Sequence, residues 1–440
     1  MIVSKFGGSI IADTGKLARA MDILKSNPER RYIIASAPGQ NPNAAGITNL
    51  LFMCHSSFSK RENYNILLAK ISEIYNNIIN SLGVKFDLDS EIDELRKNLI
   101  SGKSGDYIGS RGEYITGRIL AKFLGWEFVD ASELIFFHED GTLDKGKTFT
   151  TARNRLQSLE HAVIPSFYGT MPDGNIKTFS RGDGDSSGAI VASAVNADLF
   201  EKWSSDIKTY SADPAIVPNP ETIKNITYDE AVELNYSGIN IIKDSVIFML
   251  KESGIPLKIC CIEDEDDGNN GMLISSQLPG NISRNIAVCI TGRRNFDVIH
   301  LEKYGLNQEY GFGAKLFGLF TNYHIPCEHC LSGIYKMSFV IKNMMFNLHY
   351  KEIIDDIKRE MEPDSITVEK NLSLIAVIGQ EMGTVKGMFE KVFSALANAQ
   401  IKVKMIDQGS DDLNIILGVS DSDYENAIKA LYQNLIVKGD

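Results

Sequence analysis

Cysteine is scarce in this 440-residue chain, with only Cys54, Cys260, Cys261, Cys289, Cys327 and Cys330. So few, so irregularly spaced, cannot form a disulfide framework for a chain of this length. Basic charge is also short: 45 Lys and Arg against 57 Asp and Glu leave a net charge of -12. A nucleic-acid or anionic-membrane surface calls for a broad basic patch, so neither partner is expected. Any anionic ligand must be held by a few local cations and backbone dipoles. No run of about 18 apolar residues occurs, which argues against a membrane span. The start, Met1 to Gly8, has neither a basic segment nor a long apolar one, so no signal peptide is expected and the protein reads as cytoplasmic. The Walker pattern G-x-x-x-x-G-K-[ST] and the fingerprint G-x-G-x-x-G are both missing. Five adjacent acids at Glu263–Asp267 lack calcium-ligand spacing and read as a solvated loop. Cys327-Glu-His-Cys330, preceded by His324, is half of a zinc pattern without a second pair. It reads better as a strand leaving a helix than as a metal or redox site, and no resident metal is expected.

What is present is an ordinary soluble composition, 43% hydrophobic and 23% charged, long enough for two or three domains. The first part alternates strands and helices. Tyr32–Ala37 is an apolar strand ending in Pro38-Gly39, and Asn63–Leu99 carries apolar residues at helical spacing. Glu113–Leu124 reads as a helix ended by Gly125, Glu127–Val129 and Ala162–Pro165 as strands, and Pro172-Asp173-Gly174 as a hairpin turn. Ser186–Asn196, small and apolar, reads as a helix packed closely on a sheet. Such alternation predicts an α/β domain with a mostly parallel central sheet and ligands at the strands' carboxyl ends.

The last part repeats itself. A shift of 76 residues places Gly311 on Gly387, Lys315 on Lys391, Phe317 on Phe393, Ile325 on Ile401 and Gly333 on Gly409. The apolar runs Met337–Ile341 and Leu413–Leu417 then coincide without a gap. Two small βαββαβ modules are expected, at 281–365 and 366–440, after a first domain at 1–280. Sheet edges on such modules invite pairing, within the chain or between chains.

Three segments carry chemistry. A short apolar strand from Met1 runs straight into Lys5 and the pair Gly7-Gly8, and Ser9 then opens a helix-like segment. Glycine admits close backbone approach, a helix start attracts an anion, and lysine adds a point charge suited to phosphate. Ser110-Arg-Gly-Glu113 is read at a helix start, where the dipole favours a carboxylate. Thr178-Phe-Ser-Arg181-Gly-Asp-Gly-Asp185-Ser186 reads as a strand, a glycine turn and a helix capped by Asp185-Ser186. Arg181 suits bidentate recognition of a carboxylate or phosphate, and Asp185 suits either Mg²⁺ or the orientation of a cation. Each segment alone is equally readable as a plain turn or cap.

Together, Lys5-Phe-Gly-Gly8, Arg181-Gly-x-Gly-Asp185 and Ala212-Asp213-Pro214 resemble the aspartokinase branch of the amino-acid kinase family. Ser36-Ala-Pro-Gly39, Ile47-Thr48-Asn-Leu-Leu51, Ser110-Arg-Gly-Glu113 and Pro218-x-x-x-x-Ile223 match too, and the C-terminal repeat resembles paired ACT modules. The resemblance implies a three-layer α/β sandwich followed by two ferredoxin-like ACT domains. It implies ATP-dependent phosphorylation of the side-chain carboxylate of L-aspartate to 4-phospho-L-aspartate, toward lysine, threonine and methionine, with Mg²⁺ arriving on ATP. By the same resemblance Lys5 with Gly7, Gly8 and Ser9 meets the phosphates, and Ser36 and Gly39 line their pocket. Arg181 clamps a substrate carboxylate, Thr48 hydrogen-bonds the substrate, Glu113 binds its ammonium and Asp185 organises the cations. Ser204, Tyr210 and Asp213 belong to the nucleotide segment. Ser332, Gly333 and Gln408 mark an amino-acid effector site, lysine or threonine in the family, and a homodimer through the ACT modules is expected.

The chain departs from that pattern in places. Arg-Gly-Gly-Ser-Asp becomes Arg181-Gly182-Asp183-Gly184-Asp185, and Trp-Thr-Asp-Val becomes Trp203-Ser204-Ser205-Asp206. Ala215 stands where an arginine usually follows Asp-Pro, Asn240 where a lysine is usual, Lys243 where a histidine is usual and Tyr335 where an aspartate is common. Each lost cation removes charge-assisted hydrogen bonds worth about 1.5–3 kcal/mol, unless Lys208 or Lys243 substitutes. Three functions remain open at this level: an aspartokinase with a divergent nucleotide pocket, a kinase for another amino or carboxylic acid, and a non-catalytic amino-acid sensor.

Overall fold

The computed structural model describes residues 1–437 except 40–44, 181–182, 206–207, 265–270, 279–286, 380–381, 383–385 and 410–411. The chain divides into two compact units. The first comprises Met1–Thr209, Lys224–Tyr228 and Ile242–Leu278; the second takes Tyr210–Ile223, Asp229–Ile241 and Pro279–Asp440.

The first unit runs β1 (Ile2–Phe6), α1 (Gly8–Ile11), α2 (Thr14–Ser26), β2 (Arg30–Ala35), α3 (Ile47–Ser59), α4 (Asn65–Leu82), α5 (Leu88–Ile100) and α6 (Gly105–Leu124). It continues through β3 (Glu127–Phe128), α7 (Lys145–Leu156), β4 (Ala162–Pro165), β5 (Tyr168–Thr170), β6 (Ile176–Thr178), α8 (Gly184–Val195), β7 (Leu199–Ser204) and β8 (Asn225–Thr227). After α9 (Tyr228–Tyr236), whose first residue alone belongs to this unit, come α10 (Asp244–Ser253), β9 (Leu257–Cys261) and β10 (Met272–Ser275). Eight strands form one sheet in the order β3-β4-β2-β1-β7-β9-β10-β8. All neighbours are parallel except β9 and β10, as the alternation of strands and helices predicts. β5 and β6 make the hairpin expected around Asp173.

Side chains alternate across the strands, and each face buries a different set of helices. Phe6, Ile33, Ala35 and Trp203 pack with α2 to α6 in one core. On the other face α8 lies so close that a Cβ on Gly188 would sit 2.3 Å from the Phe200 ring. Small residues along Gly184–Val195 permit that approach. Between β1, β2 and β7 the helix-covered interior holds a satisfied ion pair. Arg30 meets both oxygens of Glu201 at 2.8 and 3.2 Å, while Ser4 and Trp203 donate to the same carboxylate. A buried pair with every partner in place fixes strand register without leaving a charge exposed to apolar surroundings.

The second unit is built on β11 (Cys289–Glu302), α11 (Phe312–Asn322), β12 (Cys327–Ser332), β13 (Lys336–Lys342), α12 (Asn343–Leu348) and α13 (Tyr350–Met361). The second copy follows with β14 (Ser365–Ile378), α14 (Met388–Asn398), β15 (Met405–Gln408), β16 (Asn414–Ser420) and α15 (Tyr424–Tyr432). The repeat is visible residue by residue: α11 and α14 start 76 apart (388 minus 312) and end 76 apart (398 minus 322). Gly311 and Gly387 precede them with φ of 76° and 84°, a conformation glycine adopts without strain. The two copies share one antiparallel sheet in the order β12-β13-β11-β14-β16-β15. Its middle strands are long and serve both copies. Phe296–Glu302 of β11 pairs with β13, while Cys289–Arg293 pairs with Leu374–Ile378 of β14. The first copy is therefore inserted within the second, and 365/366, the position where a boundary is expected, is the start of the shared β14. His329 of β12 and Asp407 of β15 come within 2.6 Å, so the two edges of the sheet meet within the chain. Cys327 and Cys330 lie on β12, as expected for a strand.

Candidate functional site

The carboxyl ends of β1, β2 and β7 converge with the start of α8. Lys5 and Lys202 are direct partners across the parallel β1–β7 pair, so both project to the face that α8 covers. Each is buried, and each meets the Asp185 carboxylate: Lys5 Nζ to Oδ1 at 2.9 Å, Lys202 Nζ to Oδ2 at 3.0 Å. Burial alone would raise the pKa of Asp185, but the two ammonium groups outweigh it and hold the carboxyl at about 2. Asp185 therefore stays ionised, clamped between two cations. Gly184 allows this: a Cβ there would lie 3.6 Å from Lys5 Cε and 3.1 Å from Ser166 Oγ.

The expected cap is corrected here. Asp183, not Asp185 with Ser186, occupies the N-cap position of α8, and Ser186 Oγ donates to Asp183 Oδ1. Asp185 in the first turn is left to face the lysines. The helix after the glycine pair is also shorter than the opening motif suggests. α1 has four residues, Gly8–Ile11, so its contribution is free backbone N–H groups rather than a sustained dipole.

The glycine turns form the wall beside Lys5. Gly39 N–H donates to Gly8 O at 2.7 Å. A Cβ on Gly8 would meet Ala37 O at 2.7 Å and Gly39 N at 3.0 Å, and one on Gly39 would meet Gly8 C at 2.8 Å. Only bare backbone fits between these two turns. Ser9 Oγ is 2.8 Å from Ser205 Oγ, tying the turn to the end of β7. Ser36 is buried at the end of β2.

Glu113 is reached through the same Ala37 segment, because a Cβ on Gly112 would stand 2.9 Å from the Ala37 Cβ. Contrary to the sequence reading, Glu113 is not at a helix start. α6 begins at Gly105, capped by Ser104, and Glu113 lies in its middle. No dipole stabilises it there. Thr48 Oγ1 donates to Glu113 Oε1 at 3.3 Å, and Oε2 is buried with no hydrogen-bond partner among the described residues. Burial pushes the carboxyl up to about 8, against the weaker pull of the Glu113 and Thr48 hydrogen bonds. A buried acid with an open oxygen is arranged for a cationic visitor.

Residues 1–261 match the model of the amino acid kinase family, and residues 375–435 match an ACT domain. The chain belongs to the amino acid kinase family. Aspartokinase 3 of Bacillus subtilis is 29% identical over 98% of both chains. The crystal structure of Clostridium acetobutylicum aspartate kinase is 38% identical, with a TM-score of 0.92 over 99% of this chain and 100% of that one. Escherichia coli aspartokinase III, solved with lysine and aspartate, shares the fold at 22% identity and a TM-score of 0.74 over 99% of both chains.

In this kinase the departures at Asp183 and Lys243 answer each other. Lys243 Nζ lies 3.1 Å from Asp183 Oδ2 and donates to Ser180 Oγ at 2.8 Å. One lysine thus ties both flanks of the Arg181-Gly182 segment, which itself lies outside the described residues. Lys208 pairs with Asp264 at 2.9 Å. Ser204 is buried near the end of β7, its Oγ without a partner among the described residues. Asp206 is outside the described residues, as are 265–267 of the acidic loop.

Tyr210 and Asp213 belong to the second unit. Tyr210 O accepts from Cys289 Sγ, and Asp213 Oδ1 accepts the Ala215 N–H at 2.9 Å. Ser332 and Gln408 end the two edge strands at equivalent repeat positions, 76 apart (408 minus 332). Gly333 N–H donates to Lys336 O, and Gln408 Nε2 donates to Asp412 Oδ1. Among the described residues no helix is long and apolar enough to cross a membrane, and no group of three His, Cys, Asp or Glu is placed to hold a metal.

Lys202 escaped the sequence reading. Its signal was a lysine inside the buried strand Leu199–Ser204, one residue before the tryptophan of the nucleotide segment.

Proposed function

We propose that this kinase transfers the γ-phosphoryl group of ATP to the side-chain carboxylate of L-aspartate, giving 4-phospho-L-aspartate and ADP. The observation that carries the reading is a buried cationic centre, Lys5 and Lys202 on the single carboxylate of Asp185, set against a wall of bare backbone at the strand ends. A carboxylate is ionised at neutral pH, so the nucleophile needs no general base. The protein must hold two anions together and stabilise charge spread over the group in flight. Lys5 supplies charge, and Gly7, Gly8, Ser9, Ser36 and Gly39 line the phosphate side. Glu113 takes the substrate ammonium with Thr48 beside it, and Arg181 takes its α-carboxylate. Ser204 serves the nucleotide side.

Mg²⁺ enters as the counter-ion of ATP. Both Asp185 oxygens are engaged by ammonium groups, so this acid orients cations rather than holding a resident metal. Ser332, Gly333 and Gln408 mark the tips where an amino-acid effector acts, and a homodimer forms through the ACT unit. The kinase works in the cytoplasm.

The test is to incubate the protein with Mg-ATP, hydroxylamine and a panel of acids, and assay the acyl-hydroxamate. Signal with L-aspartate above all others is expected. A stronger signal with another acid, or silence from folded protein, overturns the assignment. Rates at rising lysine and threonine test the effector, and light scattering showing a monomer would count against the dimer.

A further inference from the structure

We infer that Lys202 is a second catalytic cation, placed with Lys5 to flank the phosphoryl group during transfer. This rests on the phosphotransfer reading above and deepens it.

Register supplies the first argument. Lys5 and Lys202 are paired positions on adjacent parallel strands, so their side chains leave the sheet side by side on one face. Both are buried, and both end on one carboxylate, at 2.9 and 3.0 Å. A structural ion pair needs only one lysine for one aspartate. Adding a second ammonium to the same carboxylate sets like charges beside each other in a buried place, which costs stability. The trio carries a net charge of +1 (two ammonium groups and one carboxylate), the sign a transferring phosphoryl group requires.

Ser204 supplies the second. It lies two residues beyond Lys202 on β7, on the same face and nearer the strand's carboxyl end. It is only 9% exposed, and its Oγ has no hydrogen-bond partner among the described residues. A buried hydroxyl without a partner, on the sheet face that carries both lysines, fits an anionic oxygen. The opposite face of the same strands is locked by the Arg30–Glu201 pair with Ser4 and Trp203. That network holds β1 and β7 in the register that keeps the two lysines abreast.

The chemistry balances without a proton transfer. An aspartate carboxylate oxygen bonds to the γ-phosphorus, the bond from phosphorus to the β,γ-bridging oxygen breaks, and its electron pair leaves on ADP. Charge grows on the bridging oxygen while it spreads over the phosphoryl oxygens. Two ammonium groups fixed by Asp185 stabilise that redistribution, and Asp185 acts as the positioning residue between them.

Lys202→Met in the full-length chain tests this, with kcat and KM measured by hydroxamate formation and ADP release. The expected result is a kcat loss of about a hundredfold or more, with the aspartate KM within about threefold of wild type. Lys202→Ala should recover activity with rising propylammonium, which restores the cation, while thermal melting confirms folding. A Lys202→Met enzyme within about threefold of wild-type kcat overturns the inference, and so does a Lys202→Ala loss that no amine restores. Wild-type enzyme inert toward every acid instead overturns the phosphotransfer reading itself, so the two failures are told apart.

Discussion

Burial holds the Glu113 carboxyl at a pKa of about 8, so below that pH the empty kinase keeps a proton which an incoming ammonium group must displace. The ionised fraction is about 1% at pH 6, about 10% at pH 7 and about half at pH 8. Apparent affinity scales with the competent fraction. The aspartate KM should therefore fall roughly tenfold from pH 6 to 7 and about fivefold from pH 7 to 8. Initial rates at saturating Mg-ATP read that dependence, and calorimetric titrations in buffers of different ionisation enthalpy count the proton released. Glu113→Gln should leave KM high and flat with pH. A wild-type KM that is flat from pH 6 to 8, with no proton released, would show that Glu113 holds no proton for the substrate to displace. The same shift acts on stability. Below the ordinary value of 4.5, folded and unfolded chains both hold the proton and nothing is lost. Between about 4.5 and 8 only the folded chain keeps it, so stability falls by about 1.4 kcal/mol per pH unit as pH rises. Glu113→Gln should be more stable than wild type at pH 8 and no different near pH 4.

Asp185 behaves in the opposite sense. Held at about 2 by Lys5 and Lys202 against the effect of burial, it adds stability above its ordinary 3.8 that is lost as pH falls toward 2. Asp185→Asn should cost about 3–5 kcal/mol in denaturant melts and abolish turnover; a stable, active variant would contradict the clamp. Gly8→Ala forces a Cβ to 2.7 Å from Ala37 O, backbone against side chain with no room to yield. It should lose about 1–3 kcal/mol and raise the ATP KM, and a silent substitution would show that the two turns are not in contact. Asp183→Asn and Lys243→Met should couple by about 0.2–1 kcal/mol in a double-mutant cycle, since Lys243 is partly exposed. Strict additivity would remove the staple.

The sequence made the sheet legible because its signals are local: alternating strands and helices, Gly125 stopping α6, and small residues along α8. The repeat was readable at single-residue precision because equivalent glycines start both α11 and α14. The insertion of one copy within the other was not, because it depends on β11 and β14 each crossing both copies, and no local pattern records strand pairing. Lys5, Glu113 and Asp185 stand out as candidates through their glycine neighbours. Their environments do not: Glu113 was assigned to a helix start, although Ser104 caps that helix nine residues earlier. Asp185-Ser186 reads as the cap of α8, whereas Asp183 holds its N-cap position. Lys202 was missed because only the register of β1 on β7 brings it beside Lys5. Asp183 and Lys243 looked like separate departures until the structure joined them across 60 residues of chain (243 minus 183).

If a cationic centre that includes Lys5 transfers phosphate to an aspartate carboxylate, hydroxamate and ADP must form together and both must depend on that lysine. The most direct measurement compares wild type and Lys5→Met, both confirmed folded, for aspartyl-hydroxamate formed per ADP released from Mg-ATP and L-aspartate. One hydroxamate per ADP is expected for wild type, with a loss of at least about a hundredfold in the variant. ADP release without hydroxamate, or a Lys5→Met enzyme as fast as wild type, would contradict it.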